Sequence, residues 1–158
     1  MEYFWVFFLL SCCRQRGDGE GMDDGDKVMK EVMAVCRNFL WGGTHKYAKV
    51  PLVNWEEVCL KKKFGGLGIK NILNWNKAAI MKLNWDVAGK KDILWVKWIH
   101  NKYIKEEEFW DYTPKLDACH YWKEMVRVRE NFRGMPKGKE YIVREGYDWL
   151  QGTRMIPN

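Results

Sequence analysis

Between Cys36 and Ala79 the chain reads CRNFLWGGTHKYAKVPLVNWEEVCLKKKFGGLGIKNILNWNKAA, punctuated by two double glycines, Gly42-Gly43 and Gly65-Gly66. Glycine is costly inside a helix and supplies the left-handed backbone that helix ends and turns use, so no regular element is expected to run through either pair. The segments left between them are short. A helix stops at Trp41, a loop holds Pro51, a brief tryptophan-started helix leads into a lysine triplet, and a long amphipathic segment opens at Asn71. The expected fold class is therefore mainly α: a small multi-helix domain with irregular connectors and at most a short strand near the C-terminus.

Apolar spacing defines each expected element. Lys27 to Trp41 sets Val28, Val32, Val35, Cys36, Phe39 and Leu40 on one helix face, with Asp26 as N-cap and the glycine pair as stop. Asn54 is placed to cap the helix WEEVCL, with Glu56 and Glu57 in its first turn and Lys61, Lys62 and Lys63 at its dipole-favoured end. The turn after Phe64 is expected to deliver Leu67 and Ile69 to the core. Asn71 to Ala88 reads as the longest helix, with a stripe of Ile72, Trp75, Ala79, Leu83 and Val87 and a stop at Gly89.

Asp92 to Ile104 reads as a shorter helix with Leu94, Trp95, Trp98 and Ile99 apolar, and with Lys97, His100, Asn101 and Lys102 suited to an outer face. Lys105 to Cys119 is an acidic irregular connector. A further helix over Ala118 to Asn131 clusters Trp122, Met125, Val126 and Arg129, and Phe132 to Lys139 is a linker. Glu140 to Gln151 is expected to give a short strand and one helical turn.

A chain of 158 residues has room for one modest domain with a real core. Ten tryptophans are many for this size, and the area each buries makes most of them expected core or interface anchors. The formal charge of +6 is unevenly spread: residues 27–105 carry 16 Lys and Arg against 5 Asp and Glu. That excess is a plausible footprint for a polyanion, and a merely solvated lysine-rich surface fits it as well. The five cysteines are odd in number and form no C-x-x-C, so neither a disulfide framework nor a zinc knuckle is expected, and buried free thiols are the default.

Met1 to Cys13 is an apolar run too short to span a bilayer as a helix, with Glu2 where a secretory signal carries positive charge. A signal, a packed segment and a gene-model edge all remain open for it. Arg14 to Asp26 reads as a flexible acidic linker. The linker contains Met22-Asp23-Asp24, but glycines flank it where a two-metal site needs strands and a third carboxylate. Phe64-Gly65-Gly66-Leu67-Gly68-Ile69 is neither a phosphate-binding P-loop nor a dinucleotide fingerprint, and turn chemistry is the better account of it.

Five blocks in order resemble one family. They are FLWGG at residues 39–43, W-x-x-V-C-x-x-K-x-x-GGLGI at 55–69, NKAAIMK at 76–82, LW-x-x-WI-x-x-KY at 94–103, and Y-x-V-x-x-GY-x-WL at 141–150. The chain is similar over residues 27–152 to the region just downstream of the polymerase core in plant LINE-type, non-LTR retroelement reverse transcriptases. Beyond the leader and linker at 1–26, the resemblance implies a helical thumb or connection segment at 27–133 and the start of an incomplete zinc-binding-type domain at 134–158. In that family the catalytic aspartate pair lies well upstream of the FLWGG block, so Asp23 and Asp24 are not expected to be its counterpart. RNA-directed DNA synthesis is implied for the complete protein and no catalysis for this chain.

The expected partner is an RNA or DNA duplex, held at its phosphates by Lys61, Lys62, Lys63, Lys70, Lys77 and Lys82. No cofactor, metal or small-molecule substrate is expected, and an intracellular setting is favoured. The competing reading is a small secreted or membrane-associated structural protein that uses the apolar leader.

Overall fold

The structure, a computed structural model, describes residues 23–43, 52–136 and 140–152, with side chains from Lys27 onward. The leader and most of the Arg14 to Asp26 linker lie outside these residues. The described residues hold six α-helices, short 3-10 and π-helical turns and no strand: α1 (Asp23–Gly42), α2 (Trp55–Val58), α3 (Ile72–Ala88), α4 (Leu94–Ile99), α5 (His120–Val128) and α6 (Val143–Gly152). None of them is long and apolar enough to cross a membrane. The chain divides into two compact units, Gly21–Asn76 and one that contains Lys77–Asn158, with the boundary inside α3.

In the first unit, α1 starts at Asp23, so Asp26 lies inside the helix and is not its N-cap. The helix stops as the glycines require: Gly43 takes φ +68° and its N–H bonds the Phe39 carbonyl at 2.9 Å. Its packing departs from the apolar spacing. Val28, Val32, Val35, Cys36, Phe39 and Leu40 are exposed, whereas Met33 and Trp41 pack against buried Trp55, Val58 and Cys59. At 3.6 residues per turn, the Met33–Trp41 side lies about 140° around the helix from the mean direction of that stripe. The bulkier thioether and indole fill the space beside Trp55, and no described residue covers the valines.

Asn54 stands at the N-cap of α2 in extended conformation, but its side chain makes no capping bond; its carbonyl accepts from Glu57 and Val58 instead. The helix ends at Val58. Lys61 to Lys63 therefore do not close it, and a separate 3-10 turn, Lys62–Phe64, follows.

The second unit holds two clusters of buried side chains. One gathers Val87, Trp95, Val96, Ile99, Ile104, Phe109, Tyr112, Trp122, Met125 and Val126. Trp122 anchors it, donating from Nε1 to the Tyr112 hydroxyl at 3.2 Å and stacking on Tyr103 with ring centres 5.3 Å apart. The acidic connector thus contributes core residues, Phe109 and Tyr112, although it is irregular. Arg129 fixes it from α5's end, donating to the carbonyls of Phe109 and Tyr112, with its guanidinium 5.5 Å from the Phe109 ring centre.

The helix expected over Asp92 to Ile104 is split into α4 and a π-helical turn, His100–Ile104. His100 is not on an outer face: with its proton on Nε2 it donates to the Val87 carbonyl at 2.9 Å. Leu94, expected among the apolar positions, is exposed.

The other cluster joins Ala78 and Met81 of α3 to Val128, Phe132, Tyr141, Tyr147 and Leu150. The expected strand over Glu140 to Gln151 is absent, and α6 occupies ten residues there. The β-favouring run Tyr141-Ile142-Val143 is overridden because Tyr141 and Tyr147 both reach the core from a helix entry.

Candidate nucleic-acid interface

Four of the six candidate lysines lie in the Gly21–Asn76 unit, on a loop that local backbone chemistry fixes. Lys61 is extended at φ −60° and ψ 145°, Lys62 and Lys63 form the 3-10 turn, and Gly65 ends it at φ +86°. The chain then doubles back, with Leu67 N–H bonding the Val58 carbonyl and Gly68 N–H the Leu60 carbonyl, both at 2.9 Å. A Cβ on Gly66 would overlap the Leu60 main chain, so the FGGLGI turn needs glycine there for close approach and at Gly65 and Gly68 for positive φ. Leu67 and Ile69 remain exposed, contrary to the expectation that the turn would bury them. The Leu67 N–H closes the loop onto the Val58 carbonyl, while both side chains stay in solvent.

Lys61, Lys62, Lys63 and Lys70 are all exposed. Residues 61–76 contain these four lysines and no carboxylate. Lys63 Nζ lies 4.7 Å from the centre of the exposed Phe64 ring, and Lys70 Nζ lies 3.8 Å from that of Trp75. Asn71 starts α3 as a side-chain cap: its Oδ1 accepts from the N–H groups of Leu73 and Asn74 at 3.1 and 3.2 Å. That cap holds Lys70 just ahead of a helix N-terminus.

Lys77 and Lys82 belong to the other unit and are half-buried. Lys82 sits 3.5 Å from Asp86, whose carboxylate also binds Lys91 at 2.7 Å. This hydrogen bond raises the Lys91 pKa. A lysine already beside a carboxylate has less net charge to offer a phosphate.

Phe64 and Trp75 escaped the sequence reading, which treated tryptophan at helical spacing as packing. The available signal was the lysine next to Phe64 and the lysine five residues before Trp75.

Of the two free thiols among the described residues, one is sequestered and one is exposed. Cys59 is a buried free thiol whose pKa is pushed up to about 11, by burial first and then by Glu56. A neutral thiol is a poor nucleophile. Cys36 is free as well but exposed, and Cys119 is disulfide-bonded, so the buried-free-thiol expectation holds for Cys59 and fails at the other two. No group of three or more His, Cys, Asp or Glu residues that could hold a metal occurs among the described residues.

No protein-family model and no solved structure matches the chain. Two curated plant proteins do. The "Putative ribonuclease H protein At1g65750" of Arabidopsis thaliana is 30% identical over 129 residues, which is 79% of this chain and 19% of that protein. The "Uncharacterized mitochondrial protein AtMg00310" of the same plant is 20% identical over 104 residues, 65% of this chain and 68% of that protein. This chain therefore spans about a fifth of the length of the first relative, and its similarity to both is distant.

Proposed function

We infer that the chain is a non-catalytic segment of a plant non-LTR retroelement reverse transcriptase, and that its basic loop binds nucleic acid through phosphate without reading sequence. The observation that carries the binding is the loop at residues 61–70, where four exposed lysines stand on a glycine-fixed turn with no carboxylate among them. Ordered family-like blocks and distant similarity to a plant protein named for ribonuclease H support the ancestry. No polymerisation step is assigned to this chain. Asp23 and Asp24 stand in the first turn of α1, whereas a two-metal centre needs carboxylates held together by a rigid frame.

A titration of the full chain against a short RNA–DNA duplex at ~50 mM salt tests the binding. Each lysine that neutralises a phosphate releases condensed counterions, so log affinity falls against log salt with a slope of about −0.9 per contact. Replacing Lys61, Lys62 and Lys63 together by Ala removes up to about three such contacts and flattens the slope accordingly. No binding at low salt would defeat the nucleic-acid reading. An unchanged slope in the triple variant would move the site elsewhere.

A further inference from the structure

Two aromatic rings of the Gly21–Asn76 unit stand partly in solvent with an ammonium group on one face. Trp75 is 36% exposed with Lys70 Nζ 3.8 Å from its ring centre, and Phe64 is 50% exposed with Lys63 Nζ at 4.7 Å. Apolar rings left in water forgo the free energy of burial, and the same unit buries Trp55 completely enough to show that it can hide an indole. A ring face beside a cation matches the two halves of a nucleotide: the ring takes a base, and the ammonium takes the adjoining phosphate. A duplex gains little from such a pair, because its bases are stacked on each other and it offers lysine only its phosphates. The charge on the loop is complementary too, with four lysines and no carboxylate across residues 61–76.

We propose that the Lys70–Trp75 pair, together with Lys63–Phe64, is a stacking platform for unpaired bases, so that this unit prefers a single nucleic-acid strand to a duplex. The proposal rests on the nucleic-acid reading above and names its ligand. When a base settles on the Trp75 ring, Lys70 swings from the ring to the neighbouring phosphate without leaving the site. No base-edge contact is involved, so binding is tolerant of sequence.

The test uses the full chain, end-labelled oligo-dT and oligo-rU, and a duplex of equal length, all by fluorescence anisotropy at ~50 mM salt. The unmodified chain is expected to bind the single strands more tightly than the duplex. Trp75→Ala is expected to weaken single-strand binding by roughly 5- to 150-fold, the loss of one stacked base, and to leave duplex binding in place. Trp75→Phe is expected to keep most of the single-strand affinity. Phe64→Ala, outside any α-helix, should lower single-strand affinity in the same selective way, and it carries the comparison should Trp75→Ala melt early by circular dichroism. Equal losses on single strand and duplex would overturn the platform, as would a wild-type preference for duplex. Absence of binding to either form would remove the underlying nucleic-acid reading and the platform with it.

Discussion

The Tyr141 hydroxyl donates to the main-chain carbonyl of Ala78 at 2.9 Å, joining the entry of α6 to α3 across 63 positions of sequence. Both residues are buried, and Gly146 is what makes room for the contact: a Cβ there would overlap the hydroxyl and crowd the ring carbon that bears it. Burial, and then Glu145, push the Tyr141 pKa up.

Gly146→Ala is expected to destabilise the protein by about 1–3 kcal/mol, the range for forcing one extra carbon into a packed site. Tyr141→Phe alone should cost about 1 kcal/mol for the lost hydrogen bond. Combining the two should recover only part of the Gly146→Ala loss, because the ring carbon still collides. Urea unfolding of the three variants measures this. Strict additivity would show that hydroxyl and glycine do not share the space.

Asn84 is fully buried and donates from Nδ2 to the Met125 carbonyl at 2.6 Å. Asn84→Ala leaves that carbonyl without its side-chain partner, at an expected cost of about 1–3 kcal/mol. Asn84→Asp should be worse at neutral pH, since it removes the donor and brings a carboxylate against a carbonyl oxygen. Denaturant midpoints that fail to rank the two variants in this order would assign Asn84 no structural role.

Alkali should weaken the fold from about pH 9 upward. Cys59 moves from 9.0 to about 11, Tyr141 moves up from 10.0, and Lys91 moves up from 10.5 through its hydrogen bond to Asp86. In every case the folded chain holds its proton more tightly, so above these ordinary values the unfolded state binds fewer protons and stability falls with pH. The contribution is complete below about pH 9 and is lost as pH rises through the folded values. Unfolding midpoints at intervals from pH 7 to pH 11 should be flat and then decline, and a rise in this window would contradict the burial of Cys59 and Tyr141.

The exposed stripe on α1 makes a different prediction. Val32→Glu and Val35→Lys should each change stability by no more than about 0.5 kcal/mol, the range for surface positions, whereas Met33→Ala should cost clearly more. Thiol alkylation under native conditions, mapped by mass spectrometry, should mark exposed Cys36 well before buried Cys59. Slow labelling of Cys36 would mean that the valine face is covered in solution.

The sequence by itself determined where α1 and α3 end, though not the length of α2, the break after Ile99 or the helix at Val143–Gly152. Gly43 and Gly65, both at positive φ, stop elements for a local reason, backbone conformation, which needs no tertiary partner. The lysine loop was legible for the same reason: four charges in ten residues with no carboxylate stay in water whatever the fold. The exposed rings of Phe64 and Trp75 were not, because ring type alone suggests burial and only the surroundings refuse it.

Tertiary structure decided which face of each helix is buried. Apolar periodicity marks a face that would gain from leaving water, but the gain is realised only where another element presents a matching surface. In α1 the Val28–Phe39 stripe meets none among the described residues, and Met33 and Trp41 find Trp55. In α3 the buried line runs through Asn74, Ala78, Met81 and Asn84, while Ile72 and Trp75 face outward. Asparagine reads as a surface residue until its partner is known, and for Asn84 that partner is a carbonyl 41 residues away. A polar side chain can stay inside only when its hydrogen bond is supplied there, and such supply is a property of the assembled fold that no local stretch of sequence contains.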